Sequence, residues 1–137
     1  MSRVAITGIG AISCLGCDRE RIAESLYQGR SGIVCDPKRK ELGFRSSLTG
    51  EIKDFDPGRY VTRKQRKTMT LFAIQSYAAA LQAIEHACLE PKELQNEKSG
   101  LIFGCDSSCL TAYEQSVMTK ESKSTEKLGS GDRKSVV

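Results

Sequence analysis

The sequence predicts an α/β fold with parallel strand pairing. Three observations predict it. An apolar run, "VAIT" over residues 4–7, breaks into a glycine-punctuated loop; capped helical patterns fill the middle of the chain; and a second apolar run, "SGLIFGC" over residues 99–105, follows them. Residues 4–7 read as a short buried strand. Asp18 is placed to N-cap a helix through Gln28, with Ile22, Leu26 and Ala23 on its inner face. Gly29 in "QGRSG" supplies the C-cap and a turn, and "IVC" from Ile33 to Cys35 reads as a brief strand. "DPKRKELG" and "EIKDFDPG" read as polar, turn-rich connections around a weakly extended stretch over residues 44–52. Thr62 and Gln65 match the S/T-x-x-E/Q capping box and open one long helix to about residue 88, stopped by Leu89-Glu90-Pro91. Its middle, "LFAIQSYAAALQAI", is apolar or small almost all round, which predicts burial on more than one side. Residues 91–96 make a short helix and residues 99–105 the second buried strand. Residues 1–118 thus form the structured segment. Residues 119–137 are polar, lack an apolar period and are expected to be a loose tail.

With 137 residues the chain has the length of one domain. No apolar run approaches the ~20 residues of a membrane span, and the N-terminus has no signal-peptide h-region, so a cytoplasmic protein without membrane association is expected. The formal charge of +4 is too small to announce nucleic acid, and aromatic residues do not interleave with the basic ones. Without a secretory signal, Cys14, Cys17, Cys35, Cys88, Cys105 and Cys109 are expected to be free thiols, most of them buried. His86 is the only histidine, so chemistry that needs a histidine pair is not completed within this chain.

The loop after residue 7 admits several readings. Gly8-x-Gly10-x-x-Ser13 approaches the dinucleotide fingerprint, but Ser13 holds the third glycine's place and the helix starts only after Gly16. Cys14-x-x-Cys17 before a helix has the order of a thiol-redox motif, although none of the three prolines sits beside the thiols. A zinc site would pair Cys14 and Cys17 with Cys105 and Cys109 across unequal spacings. The structural alternative is that the glycines allow tight backbone packing and the cysteines fill small apolar gaps.

Charge is unevenly spread. No acidic residue falls between Gly58 and Ile84, while Arg63, Lys64, Arg66 and Lys67 crowd one end of that stretch. At a helix start the macrodipole disfavours each cation by roughly 0.3–1 kcal/mol. That placement points to an anion dock, against the alternative of an ordinary solvated face.

Taken together, "RVAITGIGAISCLG", "LYQGRSGI", "RKQRKTMTLFAIQSYAAALQAI" and "SGLIFGCDSS" resemble the front portion of β-ketoacyl-acyl carrier protein synthases, from about residue 3 to 108 in that family's order. The resemblance, closest to stand-alone bacterial synthases, implies a thiolase-like fold of layered helices on a mixed sheet. Only the first part of its N-terminal half is present here. It further implies a homodimer, acyl- and malonyl-loaded acyl carrier protein as partners, no cofactor and no metal. The chemistry implied is decarboxylative Claisen condensation in fatty acid or polyketide synthesis, with a cysteine nucleophile and two histidines. In the family those three residues lie beyond Val137. None of the six cysteines follows the family's Ala-Cys context and His86 matches neither histidine, so no catalytic residue is assigned and the chain is expected to be inactive alone. By the same resemblance, Arg63, Lys64, Arg66 and Lys67 meet the acidic carrier protein. Ser107 and Ser108 line the far end of the acyl pocket near the dimer interface, where "CDSSC" departs from the family's glycines. Two readings stand beside this one: a thiol-redox or metal module built on Cys14 and Cys17, and a non-catalytic binder of an acidic partner.

Overall fold

Local capping decides where most helices begin and end. The computed structural model describes residues 3–104 and 117–123. In chain order these contain α1 (Arg19–Tyr27), β1 (Ile33–Cys35), α2 (Pro37–Glu41), β2 (Leu48–Gly50), a 3-10 turn (Pro57–Arg59), α3 (Arg63–Arg66), α4 (Leu71–His86) and α5 (Pro91–Leu94). Residues 117–122 are also helical and 123 is a turn; residues 124–137 of the polar stretch lie outside the described residues. The Asp18 carboxylate accepts from Arg21 N and opens α1. Gly29, at φ 63°, closes it, with Arg30 N donating to Ser25 O and Gly29 N to Leu26 O. Asp36 opens α2 with Pro37 in its first turn, so "DPKRKELG" is a capped helical turn rather than a bare connection.

The predicted long helix over residues 62–88 is two helices. Thr62 and Gln65 form the capping box at the head of α3, and Thr70 caps α4 by accepting from Ala73 N. Between them Thr68 Oγ1 donates to Gln65 O. Hydroxyls that bond the local backbone compete with helix continuation, and two threonines in "KTMT" do so here. Helix α4 ends where Cys88 takes φ 55°, with Leu89 N bonded to Ile84 O and Cys88 N to Glu85 O, a glycine-type close made by cysteine.

The mixed sheet is corrected. The sheet among the described residues is the antiparallel pair β1–β2, with Val34 opposite Thr49. Residues 4–7 and 101–103 are not strands: neither run pairs with the other, and Val4 and Ile102 are 93% and 96% exposed. A strand needs a hydrogen-bonded neighbour, and no described segment supplies one. On α1 the inward residues are Ser25, buried, and Ile22, half-buried; Leu26 and Ala23 face outward, contrary to the apolar count. Helix α4 buries Ile74 and Ala78 and half-buries residues 79–84 all round, while its first turn and Tyr77 are exposed. With Val61 and Cys17, Ile74 and Ala78 make the buried apolar centre.

Around that centre, residues 8–11 lie directly against α4. A Cβ on Gly10 would fall within 2.6 Å of Ala83 N and inside contact with Ala79 O; one on Gly8 would come 2.8 Å from Ala87 Cβ and inside contact with Ala83 O. No side chain fits between these backbones. The expected outcome is that Gly10→Ala destabilises the chain by about 1–3 kcal/mol, read as a lower urea midpoint. Gly100→Ala, where an added Cβ meets nothing within 4 Å, should leave the midpoint unchanged.

Candidate functional site

The cationic cluster is built by the α3 turn. Thr62 N donates to Gln65 Oε1 at 2.9 Å and Gln65 N to Thr62 Oγ1 at 3.3 Å, which sets the turn that carries Arg63, Lys64 and Arg66, with Lys67 as its C-cap. All four basic residues are exposed, and among the described residues none of them enters an ion pair. The helix break changes their electrostatics. They do not occupy the head of a long helix: α3 spans four residues, so the macrodipole cost expected from the sequence is largely removed. What remains is a short, exposed basic ridge with no ion-pair partner among the described residues.

A second constellation lies where the glycine loop meets α4. Gln82 Nε2 donates to Cys17 O at 2.8 Å and to the Tyr60 hydroxyl at 3.1 Å, while Gln82 Oε1 accepts from Ala11 N at 3.3 Å. One turn along, His86 Nδ1 accepts from Ile9 N at 2.9 Å. Tyr60 is held in turn by Phe55, whose ring stacks on it at 5.8 Å between centroids. Next to the clasp opens a cleft of ≈ 520 Å³ lined by Ile9, Asp18, Arg59, Tyr60, Gln82 and His86, among others. Neither Gln82 nor Tyr60 belongs to a sequence motif. The available signal was two glycines two apart facing alanines four apart, Ala79 and Ala83, with one amide among them.

The thiols are placed for packing. Cys14, Cys17, Cys35 and Cys88 are free. Cys17 is buried and its Sγ donates to Lys53 O at 3.1 Å. Burial pushes its thiol above the ordinary value against the opposing pull of the Arg21 guanidinium, while the Asp18 and Asp54 carboxylates add to the rise. A redox thiol needs the opposite shift. The Cys14 side chain sits where a Cβ on Gly50 would lie 3.2 Å from its Sγ. Among the described residues, no three His, Cys, Asp or Glu side chains are grouped to hold a metal ion. Cys105, Cys109, Ser107 and Ser108 lie outside the described residues. Nor does any described helix have the length and apolarity to cross a membrane.

Glycines packed on a small-residue helix, a buried thiol pushed above its ordinary pKa and an exposed basic turn do not make a thiol-redox centre. Comparison with known proteins gives the family. Residues 1–136 match the family described as "Beta-ketoacyl synthase, N-terminal domain", and the chain belongs to it. It is similar to 3-oxoacyl-[acyl-carrier-protein] synthase 1 of Haemophilus influenzae, 36% identical over 104 residues, which are 76% of this chain and 25% of that protein. The same enzyme of Buchnera aphidicola from Acyrthosiphon pisum is 35% identical over 122 residues, 88% of this chain and 29% of that one. A 3-oxoacyl-[acyl-carrier-protein] synthase 2 of Vibrio harveyi is 33% identical over 102 residues, 74% and 25% of the two chains. The chain therefore spans about a quarter of the length of the curated relatives it matches.

The thiol geometry sets an order of reactivity. With iodoacetamide, Cys35 and Cys88, both exposed, should be alkylated first. Labelling of Cys17 should lag and should rise only at a pH above the ordinary thiol range of about 8.5. Peptide mapping of a timed reaction checks this. Cys17 labelling as fast as Cys35 would show that the loop does not bury it.

Proposed function

We propose that the chain is the N-terminal segment of a 3-oxoacyl-acyl carrier protein synthase. Such an acyltransferase condenses an acyl group with a malonyl group carried on acyl carrier protein, in fatty acid or polyketide synthesis. The observation that carries this reading is the match of residues 1–136 to the synthase N-terminal domain. The chemistry needs a thiolate to accept the acyl group and paired histidines to support decarboxylation and the developing oxyanion. One histidine, bonded to a backbone amide, and a buried Cys17 whose thiol keeps its proton supply neither. In this reading the reacting residues follow this segment, the complete enzyme is a cytoplasmic homodimer, and Ser107 and Ser108 belong to its acyl pocket at the dimer interface.

The segment's own contribution is docking. Arg63, Lys64, Arg66 and Lys67 form the surface for the acidic carrier protein, a role supported by their exposure and by the lack of ion-pair partners among the described residues. Unpaired cations on one ridge steer an anionic partner and lose that effect as salt rises.

Two measurements test this. Incubated with acyl and malonyl carrier proteins, the 137-residue polypeptide should yield no 3-oxoacyl product by mass spectrometry; measurable condensation overturns the assignment of the chemistry to later residues. In titration calorimetry, the double variant Lys64→Glu/Lys67→Glu should bind carrier protein about tenfold more weakly at low salt, two charge contacts at roughly 0.5–1 kcal/mol each. Equal affinity of variant and parent removes these residues from docking.

A further inference from the structure

We infer that His86 is a proton-sensitive latch that holds the N-terminal segment on the end of α4. The inference stands on the contact between Ile9 and His86 and does not depend on the synthase reading. The Ile9 N–H donates to His86 Nδ1 at 2.9 Å. Only a neutral imidazole with its proton on Nε2 accepts there. Protonation places an N–H on Nδ1, so two donors face each other and the bond is lost. His86 is the only histidine in the chain, and histidine is the side chain whose ordinary titration falls within about pH 5–8.

The surroundings give the protonated ring somewhere to go. His86 lies at the wall of the ≈ 520 Å³ cleft, where it is faced by Asp18, Arg19 and Glu20 from α1 and its cap, by Arg59 and Tyr60, and by Glu85 from its own helix. Asp18 is engaged with Arg21, and Glu20 with Arg19. The carboxylates of Asp18, Glu20 and Glu85 share the cleft with the ring, while Arg19 and Arg59 limit the net attraction for an imidazolium. The latch is closed when His86 is neutral, and it opens as pH falls through the His86 titration. Ile9 is then released, while Ala11 stays tied to Gln82, whose amide does not titrate.

The test is made on the whole chain labelled with ¹⁵N. Imidazole shifts should report the Nε2–H tautomer at the high-pH end. The exchange protection of the Ile9 amide, corrected for intrinsic rate, should fall about fivefold in step with His86 protonation, the loss of one hydrogen bond. Ala11 protection should not follow. In His86→Ala, Ile9 should lack this protection at every pH while Ala11 keeps its own. If that variant does not fold, the pH series on the parent chain decides alone. The latch is overturned by an Nδ1–H tautomer, by Ile9 protection that is absent or indifferent to His86 titration, or by Ile9 and Ala11 losing protection together.

Discussion

The rest of the structure depends on one close approach, the backbone of residues 8–11 against α4. Gly8 and Gly10 permit it because any Cβ would run into Ala79 O and Ala83 O, and the small Ala79, Ala83 and Ala87 side chains supply the other half of the fit. The approach creates an accounting problem. A segment that is not in a sheet has amides and carbonyls without ladder partners, and those groups need partners when they are covered. Helix side chains supply them. His86 takes Ile9 N, Gln82 takes Ala11 N and gives to Cys17 O, and Ser25 gives to Leu15 O at 2.8 Å. Helix α4 therefore does for this segment what a neighbouring strand does elsewhere. That is why Gln82 and His86 sit among the alanines of this face.

What was legible in the sequence divides by the range of the interaction that decides it. Asp18 as a cap, Gly29 as a helix close, the Thr62–Gln65 box and the β1 run are settled within a few residues, and the structure has each of them. The two misread helical segments were also locally encoded. Asp36-Pro37 is a start signal that composition disguised as a turn, and Thr70 is a second cap inside a run that already had one. The strands failed for a different reason. An apolar run states only that both of its faces want cover; whether residues 4–7 and 101–103 pair depends on segments distant in sequence. The function of Gly8-x-Gly10 was equally non-local, because the alanines that explain it lie some seventy residues on. For the site, the cationic residues were legible as charge, but the threonine break that shortens their helix was not.

That break alters how the basic ridge works. On the head of a sixteen-residue helix, four cations would be held against the dipole and would favour any arrangement that relieved it. On a four-residue turn they bear mainly their mutual repulsion, which falls off in salt with a screening length near 10 Å at 0.1 M. Their exposure keeps them hydrated.

The exposed apolar runs carry the same logic to the scale of the whole fold. Val4, Ile6, Leu101, Ile102 and Phe103 are exposed, while the buried apolar centre consists of Cys17, Val61, Ile74 and Ala78. Soluble surfaces tolerate scattered apolar residues, but two consecutive runs whose alternate side chains are both apolar are a pattern made for strands covered on both faces. The described residues contain neither the neighbouring strands nor the covering layer. The apolar content of the sequence is thus set for a larger body than these residues form. That agrees with relatives of which this chain spans about a quarter. The glycine contact and its clasp need none of that larger body. They fix residues 8–11 on α4 by short-range sterics and side-chain hydrogen bonds alone, and so set the line from which residues 4–7 would enter a sheet.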